Sequence, residues 1–431
     1  MASRRDFLAK FLGAGAGLAA TPAVSAQQTA ARHAESGRAA VAAGPPVPVL
    51  SPDLPDLPFR MDNGVKVFQL IAEPVRRELL PGRPIDVWGF NGSCPGPTIQ
   101  MNQGDRVRIV LENRLPEPTS IHWHGFEIPI EMDGMPYISQ KPVPPGERFT
   151  YEFTLRQQGT FFYHAHSAMQ EMMGMIGMFV MHPQRSHQPR VDHDFGIILQ
   201  GWALLPNNTV PNSAGMEFNW LTFNGRSGPH TTPMLVKLGS RVRMRFVNLG
   251  MDHHPIHLHG HTFQVTGTEG GRQPESVWGP ANTVLVGVAQ AREVEFVANN
   301  PGDWMVHCHL PHHMMNAMSD LLGERMITTS PLTREQAGDQ MKLMHGDGHA
   351  RHMTIPPTSP DSGGVPGFPQ DAFMEMPMDE LVQKPENHGL PPNWTSGMMG
   401  MMTLLRVLPE DRYDEIMAMK GSRVETPAHR H

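Results

Sequence analysis

The sequence has few cysteines, few charged residues and no long hydrophobic run. It contains 2 cysteines in 431 residues, so at most one disulfide can form within the chain. Charged residues make up 18 %, the formal net charge is -7, and no long basic run occurs. Nucleic acid is therefore not expected as a partner. The apolar stretch near the N-terminus, residues 11–20, is too short to span a membrane.

Four other residue types are plentiful. Gly and Pro number 42 each, which favours short strands joined by turns over long helices. The chain also has 24 His and 32 Met. Both residue types ligate copper, and an ordinary hydrophobic core explains neither count.

The first residues resemble an export signal. Residues 3–8 (SRRDFL) are similar to the twin-arginine motif, and the small residues at 24–26 suit a cleavage site. We expect residues 1–26 to be a twin-arginine signal peptide. The mature protein is then expected in the periplasm or outside the cell.

The pattern after residue 59 predicts an all-β fold. Short alternating segments are separated by Gly and Pro turns, and strands do not alternate with helices. The clearest predicted strands are residues 105–111, 148–155, 241–248 and 293–298.

An internal repeat divides this region into two β-sandwiches. Three blocks recur in the same order: residues 104–113 align with 239–248, 121–125 with 256–260, and 159–166 with 302–309. We expect the first sandwich at residues 59–183 and the second at residues 192–330.

Two segments lie outside the repeats. Residues 27–58 are rich in Ala, Pro and Gly and are predicted to form a loose lead-in. Residues 331–431 are a Met-, His- and Pro-rich extension, in which only residues 403–419 have helical character.

Four histidine-rich motifs carry the chemistry. Residues i and i+2 of a strand point to the same face, so each His-x-His pair offers two imidazoles side by side. Four such pairs at matching places in two repeats predict a multinuclear metal site. The motifs are residues 122–124 (HWH), 164–166 (HAH), 254–259 (HPIHLH) and 307–309 (HCH).

The fourth motif predicts a second kind of site. Cys308, His254, His313 and Met318 supply a thiolate, two imidazoles and a thioether. These are the ligands of a blue copper electron-transfer site, in which Met is the weak axial ligand. The two histidines that flank Cys308 must point to the opposite face of the strand. The spacing therefore predicts a short covalent path from one copper to others behind it.

These motifs resemble those of the multicopper oxidases, the family of laccases, bilirubin oxidases and cuprous oxidases. The resemblance covers roughly residues 59–330 and implies two cupredoxin-like Greek-key sandwiches. It also implies four coppers per functional unit: one type 1, one type 2 and two type 3. The ligands that it implies are His254, Cys308, His313 and Met318 for type 1; His122 and His257 for type 2; and His124, His164, His309 and His166, His259, His307 for the two type 3 coppers.

The resemblance also bears on proton delivery. Asp133 stands where family members place an acid that assists oxygen reduction. A further acid often follows the ligand cysteine, but Pro311 and Met314 occupy those positions here. The second proton donor is therefore left unassigned.

Two histidines adjoin the implied ligands without belonging to them. His253 and His312 break the family spacing, which selects His254 and His313. The substrate mouth near the type 1 copper is their alternative place. Cys94, in a Gly- and Pro-rich turn, is predicted to be a small apolar residue.

The first repeat lacks the type 1 ligands. Thr119, Ala165 and Gln170 stand where the second repeat has its two histidines and its cysteine, and only Met175 matches the axial Met. One type 1 copper is therefore expected, in the second sandwich. A chain with two sandwiches resembles the two-domain laccases, which implies a homotrimer with trinuclear sites between subunits.

The substrate is open between two classes. A laccase-like oxidation of phenols or aromatic amines by dioxygen is the main interpretation. A cuprous oxidase for copper tolerance is the alternative, since thioethers select Cu(I), although Met also packs readily in cores. Copper nitrite reductase and a non-catalytic copper-binding protein are distant alternatives. The methionines concerned are Met169, Met172, Met173, Met175, Met178, Met181 and the clusters at residues 374–378 and 398–402.

Overall fold

The computed structural model describes residues 45–204, 208–215, 218–314 and 378–424. The predicted signal peptide and Met318 lie outside these residues. Within them, no helix is long and apolar enough to cross a lipid bilayer. The strands are β1 (Phe59–Asp62), β2 (Val65–Leu80), β3 (Arg83–Phe90), β4 (Gly96–Asn102), β5 (Arg106–Asn113), β6 (Ile121–His124), β7 (Arg148–Thr154), β8 (Gly159–Ala165), β9 (Ile176–His182), β10 (His193–Trp202), β11 (Trp220–Phe223), β12 (Met234–Lys237), β13 (Arg241–Asn248), β14 (His254–Leu258), β15 (Phe263–Thr268), β16 (Gly271–Arg272), β17 (Pro280–Ala281), β18 (Thr283–Val286), β19 (Gln290–Val297), β20 (Gly302–Cys308) and β21 (Met402–Leu408).

Helices are few in the described ranges. The α-helices there are α1 (Ala168–Met172) and α2 (Glu410–Val424), and single 3-10 turns lie at Ile130–Met132, Glu275–Val277, Pro311–Met314, Pro385–Asn387 and Trp394–Gly397. The predicted all-β class is confirmed.

Each sandwich consists of two sheets packed around one core. In the first, the sheet β1-β2-β5-β7, with β3 beside β2, covers the sheet β4-β9-β8-β6. In the second, the sheet β11-β10-β13-β19-β15-β16, with β17 beside β15, covers the sheet β12-β21-β20-β14-β18. These are cupredoxin-like sandwiches, and the alternation of each strand sends every second side chain into a core.

The internal repeat is confirmed at the level of strands. Its three blocks form β5, β6 and β8 in the first sandwich and β13, β14 and β20 in the second. Pairing of β6 with β8 sets His122 opposite His164, and pairing of β14 with β20 sets His257 opposite His307. Equivalent positions of the repeat thus carry equivalent histidines.

The two sandwiches meet through an apolar interface. Side chains on the outer face of β8 and β9, including Phe162 and Met178, pack against Ile198, Val247 and Ala291 of the second sandwich. One outer face of the first sandwich is therefore fixed against the β10-β13-β19 sheet.

Hydrogen bonds reinforce this interface. The Thr160 hydroxyl donates to Glu293 at 2.7 Å, and Arg245 donates to both Thr160 at 2.7 Å and Glu293 at 2.6 Å. All three side chains are buried, so the polar groups that join the two sandwiches are satisfied.

The C-terminal segment corrects the prediction for residues 403–419. Residues Met402–Leu408 form β21, not helix, and every residue of this strand is buried. It lies between β12 and β20, parallel to the first and antiparallel to the second. A strand buried on both faces shows no alternation, so its period is ambiguous in the sequence. The helix begins later, at Glu410.

The described part of the lead-in corrects a second prediction, because residues 45–58 are ordered against both sandwiches. Leu50 bridges Phe195 of β10 in a parallel pairing, and Val49 and Leu57 are buried. Asp53 accepts hydrogen bonds from Thr232 and pairs with Lys384 and Arg226. A buried carboxylate with two cationic partners fixes a segment whose composition alone suggests flexibility.

Candidate metal centres

The second sandwich brings a cysteine and two histidines together in its core. Cys308 on β20 and His254 on β14 point inward, and His313 lies in the 3-10 turn that follows β20. The Cys308 Sγ lies 3.7 Å from the Nδ1 of His254 and 3.3 Å from the Nδ1 of His313. The two Nδ1 atoms are 3.2 Å apart. Cys308, His254 and His313 are all buried.

These distances fit one bound metal ion. A four-coordinate metal with bonds of about 2.0 Å to nitrogen and about 2.3 Å to sulfur separates its ligand atoms by about 3.3 to 3.6 Å. The chemistry fits as well, because a thiolate and two imidazoles are soft and borderline ligands that suit copper.

Burial prepares the two imidazoles and opposes the thiolate. It lowers the pKa of His254 to about 3 and that of His313 to about 4, so both rings are neutral, as ligands must be. Burial raises the pKa of the Cys308 thiol to about 12. A cation beside the sulfur favours the thiolate, so metal binding here releases a proton.

The first sandwich collects the four histidines of its two paired motifs on the outer face of β6 and β8. His122, His124 and His164 present ring nitrogens within 4.8 Å of one another. The Nδ1 of His124 lies 3.4 Å from the Nε2 of His164, and the His166 ring stacks on His164 at 5.9 Å between centroids. Burial, with the neighbouring histidines, lowers the pKa of His124 to about 4.

The second sandwich carries a matching group on the outer face of β14 and β20. His257, His259 and His307 also lie within 4.8 Å of one another, and the Nε2 atoms of His259 and His307 are 3.0 Å apart. His309 follows at 5.4 Å from the His307 ring. Because His307 and Cys308 are consecutive in β20, they face opposite sides of the sheet, as the sequence predicts.

In each group, one histidine is fixed by a contact between its Nδ1 and a backbone carbonyl oxygen. The Nδ1 of His122 lies 2.8 Å from the Asp133 carbonyl oxygen and 3.4 Å from its carboxylate. The Nδ1 of His257 lies 2.8 Å from the Asn282 carbonyl oxygen. Such contacts fix the tautomer and leave Nε2 for a metal.

The predicted site residues therefore assemble, with one exception. The eight histidines of the paired motifs form two groups of four, and Cys308, His254 and His313 form a third. Met318 lies outside the described residues. His253 and His312 are exposed and belong to none of the three groups.

The first sandwich has no counterpart of the cysteine group in its described residues. The Thr119 hydroxyl donates to the Gln170 Oε1 at 2.6 Å, while Ala165 and Met175 fill the space beside them. In the first sandwich, a hydrogen bond and packing thus stand where the second sandwich has its predicted type 1 ligands.

Two contacts at these sites were not predicted from the sequence. Glu171 places its Oε1 3.2 Å from the Nδ1 of His164. The segment before β21 touches the cysteine group: Cys308 N donates to the Met401 carbonyl at 3.1 Å, and Met401 N donates to the His313 carbonyl at 2.9 Å. In the repeat alignment Ala165 corresponds to Cys308, and Glu171 follows Ala165 by six residues. An acid this close to the paired histidines could have been predicted to contact one of them. No sequence pattern predicts the contact with Met401.

Most of the questioned methionines are packed. Met175, Met178 and Met181 are buried in the first sandwich or the interface between sandwiches, and Met401 is buried in the core of the second. Met169 alone of the 169–181 group is largely exposed, at 48 %. The cluster at residues 374–377 lies outside the described residues.

Comparison with known proteins agrees with this geometry. Two family models described as multicopper oxidase match residues 73–186 and 204–324. Copper resistance protein A of Pseudomonas syringae pv. tomato is 37 % identical over 123 residues, 28 % of this chain and 20 % of the relative. Laccase-2 of Botryotinia fuckeliana is 29 % identical over 277 residues, 56 % of this chain and 46 % of the relative. The chain thus spans less than half the length of these two relatives.

This chain covers a larger share of one solved structure. The blue copper oxidase from Nitrosomonas europaea matches with a TM-score of 0.55 and 31 % identity, over 58 % of this chain and 81 % of that one. The two matched family models include the strands that carry the histidines. The chain therefore belongs to the multicopper oxidase family and carries two of its domains.

Proposed function

We propose that the protein couples four one-electron oxidations of a reducing substrate to the reduction of dioxygen to water. The observation that carries this proposal is the alternation in β20, where Cys308 faces the core and His307 faces the outer histidine group. One strand thus joins an electron-entry site to a multinuclear site by a few covalent bonds. Bound copper supplies the one-electron redox chemistry, which amino-acid side chains of this kind do not perform alone.

The ligand assignment follows the three groups. The cysteine group suits a type 1 copper, and the donor distances in it support this role. The two histidine groups together suit a trinuclear cluster. We assign His254, Cys308, His313 and Met318 to type 1; His122 and His257 to type 2; and His124, His164, His309 and His166, His259, His307 to the two type 3 coppers, four coppers in all.

Asp133 is the residue that we propose for moving protons. Its carboxylate lies 3.4 Å from the Nδ1 of His122, and its side chain is 31 % exposed, so it reaches both a ligand and water. A carboxylate in that position can pass protons from solvent toward the histidine group.

The histidine groups suggest completion between subunits. The first group lies on the β6-β8 face, and that same sheet packs, through Phe162 and Met178, on the near side of the second sandwich. The second group lies on the outer face of β14 and β20, on the far side of the second sandwich. Two packed sheets about 10 Å apart therefore separate the groups within one chain.

A head-to-tail ring resolves this separation. If the first group of one subunit meets the second group of the next, each interface holds one complete set of eight histidines. A homotrimer is the assembly that we propose. In the described residues, each metal-competent group draws its members from a single sandwich, in keeping with an incomplete site in one chain.

Phenols or aromatic amines are the substrates that we favour, by similarity to the laccase relative. His253 and His312 are exposed beside the cysteine group and can line the entry for such a molecule. The alternative, oxidation of Cu(I) for copper tolerance, is favoured by the similarity to a copper resistance protein. The burial of Met175, Met178, Met181 and Met401 removes part of its support.

The twin-arginine-like motif supports export to the periplasm or the medium, where dioxygen and such substrates are available. We propose this location on the motif alone.

A substrate panel tests the function. The copper-loaded protein is given a phenol, Cu(I) or nitrite while dioxygen is measured with an electrode. We expect blue absorption and one dioxygen consumed for every four phenol molecules oxidised, with no turnover of nitrite. Preferential oxidation of Cu(I) would favour the alternative. Absence of dioxygen consumption in a fully loaded blue protein would contradict the proposal.

A further inference from the structure

The first sandwich places helix α1 where the second has the turn that carries His313. In the repeat alignment, Ala165 corresponds to Cys308, Gln170 to His313 and Glu171 to Met314. The first repeat lacks the predicted type 1 ligands, yet its chain forms a defined helix at this position. Contacts other than metal ligation must therefore hold the helix.

Gln170 supplies such contacts. Its side chain is 1 % exposed and makes three hydrogen bonds. Its Oε1 accepts from the Thr119 hydroxyl at 2.6 Å, and its Nε2 donates to the Glu117 carboxylate and the Pro118 carbonyl, each at 2.9 Å. Thr119 occupies the repeat position of His254. Hydrogen bonds therefore link the two positions that a metal would link in the second sandwich.

Glu171, the next residue of helix α1, contacts a histidine of the first group. Glu171 directs its Oε1 to within 3.2 Å of the Nδ1 of His164, whose side chain is 5 % exposed. The Ala165 carbonyl oxygen lies 2.9 Å from the same nitrogen. With two acceptors at Nδ1, that nitrogen carries the hydrogen, and the Nε2 of His164 is left facing His124 at 3.4 Å.

The second sandwich provides an internal comparison. His307, the repeat counterpart of His164, has the equivalent carbonyl contact, with the Cys308 oxygen 2.9 Å from its Nδ1. Met314 stands at the position of Glu171 and offers no carboxylate. The carboxylate contact is thus specific to the first half of the cluster.

We propose that Glu171 is a positioning residue of the trinuclear site. Its carboxylate fixes the tautomer and the ring orientation of His164, so that Nε2 is presented for copper. Carboxylate partners of ligand histidines act in this way in metal sites, and losing one weakens metal binding about 10- to 100-fold. The inference rests on the proposed function, because it takes copper as the ion that His164 binds.

Two substitutions at Glu171 and one matched control test the proposal. E171A removes the acceptor, E171Q keeps an oxygen acceptor without the charge, and E147A removes an exposed acid elsewhere on the same sandwich. Each full-length, copper-loaded protein is equilibrated against a series of copper buffers, and bound copper per chain is measured. Visible absorption of the type 1 site, in the other sandwich, reports on folding.

The expected pattern separates positioning from a general defect. E171A should hold its type 3 copper about 10- to 100-fold more weakly with unchanged type 1 absorption, while E171Q and E147A stay close to the parent protein. Unchanged copper affinity in E171A would overturn the proposal. A loss in E171Q as large as that in E171A, or a parallel loss of type 1 absorption, would also overturn it.

The outcome is independent of the wider proposal. A parent protein that binds no copper contradicts the proposed function. A parent protein that binds the full set while E171A matches it contradicts only the role of Glu171.

Discussion

Cys94 and Cys308 are both free and fully buried, yet their surroundings differ. Burial raises the pKa of each thiol to about 12. Cys308 faces two ring nitrogens within 3.7 Å, whereas Cys94 has the Gly174 carbonyl at 3.5 Å. Only the first can gain from losing its proton to a metal.

The cysteine pair gives a matched prediction. Cys308→Ser should abolish blue absorption and phenol oxidation, because a hydroxyl does not replace a thiolate as a copper ligand. Cys94→Ser should keep both and lose about 1 to 3 kcal/mol of stability, since it buries a hydroxyl with a poor partner. Absorption spectra and thermal unfolding measure the two effects. Blue absorption in the Cys308 variant would contradict the assignment.

The buried arginine–carboxylate network predicts a pH dependence of stability. Burial opposes the charge of Glu295, but hydrogen bonds and charges from Arg272 and Arg243 outweigh it and lower its pKa to about 2. A lowered pKa stabilises the folded state above the ordinary glutamate pKa of 4.5, and this stability is lost as pH falls from there toward 2.

A substitution isolates this contribution. Glu295→Gln should destabilise the protein by about 3 kcal/mol or more at neutral pH, because buried guanidinium groups lose their partner. Its unfolding free energy should also fall less steeply than that of the parent protein between pH 4.5 and 2. Denaturant unfolding across this range measures both. Parallel pH curves for the two proteins would contradict the role of Glu295.

Residue types and spacing predict most of the site. The period of two in a strand determines that His307 and Cys308 diverge, and the repeat pairs the two histidine groups. Contacts between segments far apart in sequence are not predictable in this way. The approach of Met401 to Cys308 depends on how a late strand inserts into a sheet, and no local pattern encodes that event.

Among the elements, β21 is the one whose role the sequence conceals. It completes the sheet that carries β14 and β20, and its residues pair with those of β20 from Val407 opposite Gly302 to Met402 opposite His307. Its sequence, MTLLRVL, lacks the polar–apolar alternation that identifies β5 and β13. Strands whose sequences alternate polar and apolar residues were predictable, and this strand was not.

A pair of replacements tests this element. Exchanging residues 331–377 for a flexible linker of equal length removes none of the strands in the described part of the chain. It should keep blue absorption and phenol oxidation. Ending the chain before residue 378 removes β21 and its contacts with Cys308 and His313, and should abolish both. Copper content, absorption and dioxygen uptake measure the effects.

The same pair informs the substrate question. If the linker variant loses oxidation of Cu(I) but keeps that of phenol, the Met clusters within residues 331–377 serve Cu(I). Equal loss of phenol oxidation in the linker variant would contradict the assignment of structural support to β21 alone.

At the scale of the whole molecule, the two histidine groups lie on opposite sides of the second sandwich. The separation follows from which sheets pack together, since the face that carries the first group also meets the second sandwich. Sequence motifs identify all eight histidines but not their distance within one chain. This separation is the geometric argument for the proposed division of the site between subunits, which was expected from the resemblance.

Mixing two defective subunits tests this claim most directly. One variant, His124→Ala with His164→Ala, lacks the first group, and the other, His257→Ala with His259→Ala, lacks the second. Each alone should be blue but unable to reduce dioxygen. Co-expressed in equal amounts, they should form trimers in which about a quarter of interfaces pair an intact first group with an intact second group. We predict about a quarter of the parental dioxygen uptake. Co-assembled trimers without activity, or a parent protein that is fully active as a monomer, would contradict the account.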